Sequence, residues 1–267
     1  MKILRAIMIG DVVGEPGLKV LENRLPGLKK EYSADFITVN GENAAGGFGL
    51  TAPLLERILA AGANAVTGGN HIWEQRDFWP TLNTEKRVLR PMNYPEGSPG
   101  LGWVKQEMPC PWGGEPVSWL TVNLQGREFM NPIDCPFRTF DSLEFSPGNT
   151  VILVDFHAES SREKEALAYY LDGRVSVFAG THTHVQTADE RILPKGTAYI
   201  TDLGMTGFLD GVIGMDTKIC VDRARNQVLY RMEVAATDTE SKTAVQGIVV
   251  EIDGETGKAV SIKRISV

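Results

Sequence analysis

Val177-Phe-Ala-Gly-Thr-His-Thr-His-Val-Gln-Thr187 is the stretch around which the chain reads most clearly. An apolar, β-prone run enters Gly180, and two histidines follow at i and i+2, His182 and His184. In an extended segment alternate side chains leave the same face, so the spacing predicts two imidazoles directed at one point. Neutral imidazole is the commonest metal ligand. Either histidine alone reads better as an exposed polar residue at a strand end; the pair, directly after a buried-looking strand, is what points to metal.

Outward from that stretch, strands and helices alternate. Residues 3–9 read as a buried strand, residues 11–17 as a loop, and Leu18, Leu21, Leu25 and Leu28 give helical spacing over 18–30, with Pro26 obscuring its end. A strand over 35–39 is followed by a glycine-rich loop. A helix over 52–61 is then expected, capped by Thr51 and stopped by Gly62. A strand over 64–67 precedes a short helix near 73–79. Residues 80–116 read as loop with one strand around 102–106, residues 117–123 as a strand, and residues 128–140 as a long irregular loop.

The second half repeats the theme. A strand over 151–154 leads to a capping box, Ser160 to Glu163, and a helix that Asp172-Gly173 stops. Strands over 175–179 and 197–200, a short helix over 216–225 and a terminal hairpin over 247–265 complete the chain. Neither a repeat nor a linker interrupts this order. The expectation is one α/β domain over residues 1–267, with two packed sheets flanked by helices.

Composition narrows the class. With 267 residues and 42% hydrophobic residues the chain can bury a core without staples. Lys and Arg number 27 against 34 for Asp and Glu, so stable nucleic-acid binding driven by net charge is not expected. Cys110, Cys135 and Cys220 are odd in number and widely spaced, which suggests neither a disulfide framework nor a thiolate zinc site, and a reducing cytoplasm is the simplest inference. No apolar run reaches the roughly 18 residues of a membrane span, and Arg5 and Asp11 interrupt the first one.

Groups able to bind metal recur after strands: Asp11, then Glu42 and Asn43, then Asn70 and His71, then His157, then His182 and His184. In α/β sheets such groups gather at the carboxyl ends of strands. All four histidines of the chain fall at these positions, a coincidence that scattered core histidines would not produce. Gly10, Gly41, Gly68, Gly69 and Gly180 flank them and allow close backbone approach. Neither a dinucleotide fingerprint nor a phosphate-binding P-loop is present. Carboxylates, amides and imidazoles without thiolate suit iron, manganese or zinc. Their number exceeds the need of a single four-coordinate ion.

These residues resemble the calcineurin-like metallophosphoesterase superfamily, whose pattern runs Asp-x-His, Asp, Asn-His, His, Gly-His-x-His. Here the order is Gly10-Asp11-Val12-Val13, Asn40-Gly41-Glu42-Asn43, Gly69-Asn70-His71, Phe156-His157-Ala158 and Gly180-Thr181-His182-Thr183-His184. Val13 replaces the first histidine, Glu42 stands for the bridging aspartate, and Thr181 is inserted before His182. Those departures are similar to a bacterial branch of phosphodiesterases acting on 2′,3′-cyclic nucleotides, in which an Asn beside the bridging Glu replaces the lost histidine.

The resemblance implies a four-layer α-β-β-α sandwich and two metal ions, iron foremost, with manganese or zinc as alternatives. It implies one ion held by Asp11, Glu42, Asn43 and His184, and another by Glu42, Asn70, His157 and His182. A hydroxide held between the ions would attack phosphorus, with His71 left unligated as general acid. The implied partner is a small phosphodiester; a homo-oligomer is compatible with the sequence. A phosphomonoesterase, a nuclease for short RNA and a nucleotide-sensing regulatory protein remain alternatives.

Overall fold

The first strand sets the layering. In β1 (Ile3–Ile9), Leu4, Ala6 and Met8 leave one face and Ile7 and Ile9 the other, all buried. A strand buried on both faces needs a covering layer on each side. The computed structural model describes residues 2–144, 150–236 and 242–267. After β1 come β2 (Asp11–Val12), α1 (Gly14–Tyr32), β3 (Phe36–Asn40), α2 (Ala52–Ala60) and β4 (Ala65–Thr67). A 3-10 turn at Arg76–Phe78 runs into α3 (Trp79–Thr84), followed by β5 (Trp103–Met108), β6 (Val117–Gln125) and α4 (Pro136–Asp141). Then follow β7 (Thr150–His157), α5 (Ser161–Leu171), β8 (Val177–Thr181), β9 (Arg191–Ile192), β10 (Ala198–Ile200) and β11 (Met205–Phe208). The chain closes with α6 (Thr217–Asn226), β12 (Thr243–Ala244), β13 (Gln246–Asp253) and β14 (Ala259–Ser266).

One sheet has the order β14-β13-β1-β3-β4, and its β1, β3 and β4 run parallel. The second has the order β5-β6-β7-β8-β10-β9, with β6, β7, β8 and β10 parallel. A small third sheet, β12-β11-β2, leans on the first. Most buried apolar side chains sort into three layers between the two large sheets and the helices, and Val13, Met205 and Met215 form a smaller cluster beside the third sheet. Ile7, Ile9, Ile37 and Val39 pack under α1 and α2 against Leu21, Leu25 and Ile58. Met8, Phe36, Trp119, Leu153 and Val177 fill the space between the sheets, where Phe36 and Trp119 stack at 4.8 Å. Val122, Val154 and Phe178 pack against Leu167 and Leu171 of α5. Three apolar layers separate four structural ones, so the chain is the expected α-β-β-α sandwich.

Several local expectations change. Residues 11–17 are not loop: β2 pairs in parallel with β11, and α1 starts at Gly14. Pro26 lies inside α1, which continues for another turn and a half to Tyr32. A proline within a helix costs roughly 3 kcal/mol, whereas burying Leu25 and Leu28 contributes about 1.5–3 kcal/mol each. The packing prevails. Thr51 makes no side-chain cap to α2, because Pro53 occupies the first turn and brings no N–H. Ser160 does accept from Glu163 N–H, but the Glu163 carboxylate turns to the Arg127 and Glu128 N–H groups instead of closing the box. The loop expected over 128–140 contains α4, opened by Pro136.

Candidate metal centre

The parallel strands of both sheets end at one place. Asp11 follows β1, Glu42 and Asn43 follow β3, Asn70 and His71 follow β4, His157 closes β7, and His182 and His184 follow β8. The first three strands belong to one sheet and the last two to the other, so the site lies across the seam between them.

Two clusters form there. In one, His157 Nε2 lies 2.9 Å from Glu42 Oε1, 3.1 Å from Asn70 Oδ1 and 3.0 Å from His182 Nδ1. In the other, Asn43 Nδ2 donates to Asp11 Oδ1 at 3.2 Å and sits 3.1 Å from His184 Nε2. Glu42 Oε1, 3.5 Å from Asn43 Nδ2, lies between the clusters. Asp11, Glu42 and His157 are fully buried. Gly69 lets them meet, since a Cβ there would collide with Glu42 Oε2 and His157 Nε2.

His182 and His184 do not converge by strand alternation. β8 ends at Thr181, and both histidines take left-handed backbone, with φ of 100° and 63°. Such conformations are strained for non-glycine residues and concentrate at functional sites. The two rings consequently reach different clusters rather than one point.

Each of the three clustered imidazoles gives one nitrogen to a protein acceptor and turns the other inward. His157 Nδ1 lies 3.0 Å from Thr181 Oγ1, whose hydroxyl donates to Asp155 Oδ1 at 2.6 Å. Having spent its proton on Asp155, that hydroxyl can only accept from His157 Nδ1, which leaves Nε2 as the nitrogen that faces Glu42; against burial, that carboxylate raises the proton affinity of the ring. His182 Nε2 lies 3.2 Å from Glu159, and His184 Nδ1 donates to the Ile213 carbonyl at 2.9 Å. Outer partners of this kind fix ring orientation and tautomer in metal sites.

Sequence reading missed these partners. Asp155 resembles any polar residue within a strand, yet it is fully buried and also accepts from Thr67 Oγ1 and from Asn40 Nδ2 at 3.1 Å. It thereby ties β3, β4 and β8 to β7. Gln125, opposite His157 in the β6–β7 pairing, accepts from Tyr94 OH at 3.1 Å, and its buried Nε2 has no hydrogen-bond partner among the described residues. The only signal for either was position: both lie at the carboxyl ends of parallel strands.

Charge fits the same picture. Burial opposes ionisation of Asp11, but the hydrogen bond and charge of His184 pull its carboxyl far below the usual range. Glu42 is likewise lowered against burial by His157. Burial disfavours the charged His184, yet Asp11 lifts it to about 9. Burial and then the neighbouring His157 push His182 down to about 3; two imidazoles this close do not both hold an extra proton. Among the described residues neither Asp11 nor Glu42 receives a hydrogen bond or ion pair from lysine or arginine. Ligand atoms of Glu42, His157 and His182 all lie within 4.8 Å of one another. Buried carboxylates that draw protons onto the inward imidazole nitrogens, with no lysine or arginine beside them among the described residues, suit a bound metal ion that would take the place of those protons.

His71 stands at the rim. Its N–H donates to Glu42 Oε2 at 3.0 Å, its ring meets Phe48 edge-on at 5.0 Å, and Nδ1 lies 3.5 Å from Glu74 Oε1. Phe137 packs edge-on against Tyr170, whereas Phe129 is 88% exposed. Arg127 and Arg138 line two separate depressions that include no residue of either cluster: Arg127 with Ile133 and Phe137, and Arg138 with Asp134 and Ser142.

The profile of a family described as YmdB-like protein matches residues 7–265. The chain belongs to that family. A 2′,3′-cyclic-nucleotide 2′-phosphodiesterase of Bacillus subtilis (strain 168) is 46% identical, over 98% of this chain and 96% of the relative. Among solved structures, a hypothetical protein from Thermus thermophilus superposes with a TM-score of 0.87 at 38% identity, covering 99% of both chains. A novel phosphatase from Mycoplasma pneumoniae superposes with a TM-score of 0.90 at 32% identity, covering 100% of this chain and 94% of that one. The fold of this YmdB-like chain is therefore of the metallophosphoesterase type. Among its described residues no helix is long and apolar enough to cross a membrane.

Proposed function

We propose that this chain is a metal-dependent phosphodiesterase for small phosphodiesters, 2′,3′-cyclic nucleotides foremost. The observation that carries this reading is the inward turn of three imidazoles, each anchored by an outer acceptor, around two buried carboxylates. The activity in the name of the Bacillus subtilis relative supports the substrate class.

In this reading Asp11, Glu42, Asn43 and His184 hold one ion, and Glu42, Asn70, His157 and His182 the other, with iron foremost and manganese or zinc as alternatives. Asn43 directs Nδ2 at Asp11 and His184; a half-turn of its amide presents the oxygen instead. Ions bound here would supply an activated water near neutral pH and offset charge on the phosphate oxygens. The protein's own share is orientation and a proton. The outer partners keep inward lone pairs available, and His71, with Nδ1 toward Glu74, gives a proton from Nε2 to the departing sugar oxygen.

The test is elemental analysis of protein purified without chelator, combined with product analysis on 2′,3′-cyclic AMP. Two transition-metal ions per chain and release of the 3′-phosphate, the product of opening the 2′ ester, are expected. Tight nucleotide binding without turnover across iron, manganese and zinc would favour a regulatory protein instead. Hydrolysis of monophosphates alone would make the chain a phosphomonoesterase.

A further inference from the structure

Thr183 lies between the two left-handed histidines, and something must hold so strained a turn in place. The group that does so is Asp202, fully buried just after β10. Its Oδ2 accepts from the Thr183 N–H at 3.2 Å, from the Thr183 hydroxyl at 2.7 Å and from Lys164 Nζ at 2.7 Å. Its Oδ1 accepts from Gly204 N–H at 2.9 Å. The Asp202 backbone is locked as well: its N–H donates to the Thr187 hydroxyl at 3.0 Å, and its carbonyl accepts from Thr187 N–H at 3.1 Å.

Lys164 reaches this carboxylate from α5. Gly180 makes room for it, since a Cβ at that position would press on Lys164 Cδ and on the Thr201 carbonyl. Among the described residues, Lys164 and Asp202 form the one lysine–carboxylate pair whose side chains are both essentially inaccessible, at 1% and 0%. A buried ion pair is weak evidence for stability, because apolar residues of like size often serve as well. Its value is directional: a carboxylate with a neutralising partner can accept several hydrogen bonds where water cannot, and two of these end on Thr183.

We propose that Asp202, kept as an acceptor by Lys164, is a positioning residue that shapes the His182–His184 turn for ion binding without touching the ions. The proposal rests on reading the site as a metal centre. An amide in place of the carboxylate offers one oxygen where Thr183 and Gly204 need two, so Asp202→Asn should loosen the turn. Combining it with Lys164→Met leaves no buried charge unpaired. Thr183→Val removes only the hydroxyl donor, and Thr183→Ser restores it.

The experiment is calorimetric titration of Mn²⁺ into the full-length, chelator-stripped protein and its variants, with thermal unfolding of each metal-free chain alongside. The double variant and Thr183→Val are expected to fold with little change in metal-free melting temperature yet to bind Mn²⁺ roughly 10–100-fold more weakly, and Thr183→Ser to bind as the parent does. Folded variants with parental Mn²⁺ affinity would overturn the proposal, as would a serine variant as weak as the valine one. Should the double variant not fold, the valine and serine pair decides. A parent chain that takes up no Mn²⁺, iron or zinc would instead sink the metal-centre reading beneath it.

Discussion

His71, at the rim, is the histidine least committed to its neighbours, with a side chain 28% exposed and a weak contact to Glu74. If it supplies a proton, His71→Ala should keep its metal yet lose roughly 10²–10⁴ in turnover on an alkyl diester. An activated nitrophenyl ester hardly needs that proton, so an equal loss on it would remove the acid role. Gly69→Ala tests the site from the other direction. The added methyl would collide with Glu42 and His157, and overpacking of this kind costs about 1–3 kcal/mol. A lower metal content by elemental analysis and an earlier denaturant midpoint are expected; parental values of both would show that the loop yields freely. At this scale the sequence was legible for the residues that end strands, because position after a strand and metal-type chemistry coincide at all eight. It was silent about Asp155, Thr181 and Asp202, whose roles come from partners as far as 115 residues away. It also misled on His182 and His184, because a local left-handed backbone leaves no mark in a pattern of threonines and histidines.

Elements were legible where one apolar stripe decided them and obscure where two effects competed. Leu18 to Leu28 announced α1, but Pro26 hid its length until the burial of Leu28 could be weighed against one lost hydrogen bond. The short β2, β9, β11 and β12 have no periodicity to detect; they exist because neighbouring strands offer partners. The turn over 212–215 shows tertiary demand overriding local preference. Val212 and Met215 exchange both backbone hydrogen bonds, at 3.0 and 2.9 Å, around Ile213 and Gly214, whose φ values are 51° and 85°. A β-branched residue is poorly suited to that region, and Ile213 is 43% exposed, so little packing holds it there. Ile213→Asn should stabilise the protein by about 1 kcal/mol, a rise of roughly 2–4 °C in melting temperature. The carbonyl that anchors His184 belongs to the backbone and stays. A lower melting temperature would mean that the isoleucine side chain contributes more than its exposure indicates.

On the scale of the whole molecule, the layer built from Met8, Phe36, Trp119, Leu153 and Val177 is common to both sheets. Neither sheet can open without exposing it, so we expect the chain to behave as one domain and to melt in a single transition that tryptophan fluorescence and circular dichroism follow together. Because the proposed ligands divide between the sheets, Mn²⁺ should raise that transition; at a hundredfold excess over its dissociation constant the gain is about 2.7 kcal/mol. Two resolved transitions would contradict the shared layer, and a transition indifferent to every metal would contradict the divided site. The strand order has one more consequence, at the borders of the sheets. One sheet ends on β14 and on the three-residue β4, and the other on β5 and on the two-residue β9. The two long borders carry charge, Lys263 and Arg264 on β14 and Lys105 and Glu107 on β5. Short or charged borders offer a poor template to an incoming strand, so a protein built on parallel strands at its centre is guarded at its margins against growing into an aggregate of its own kind.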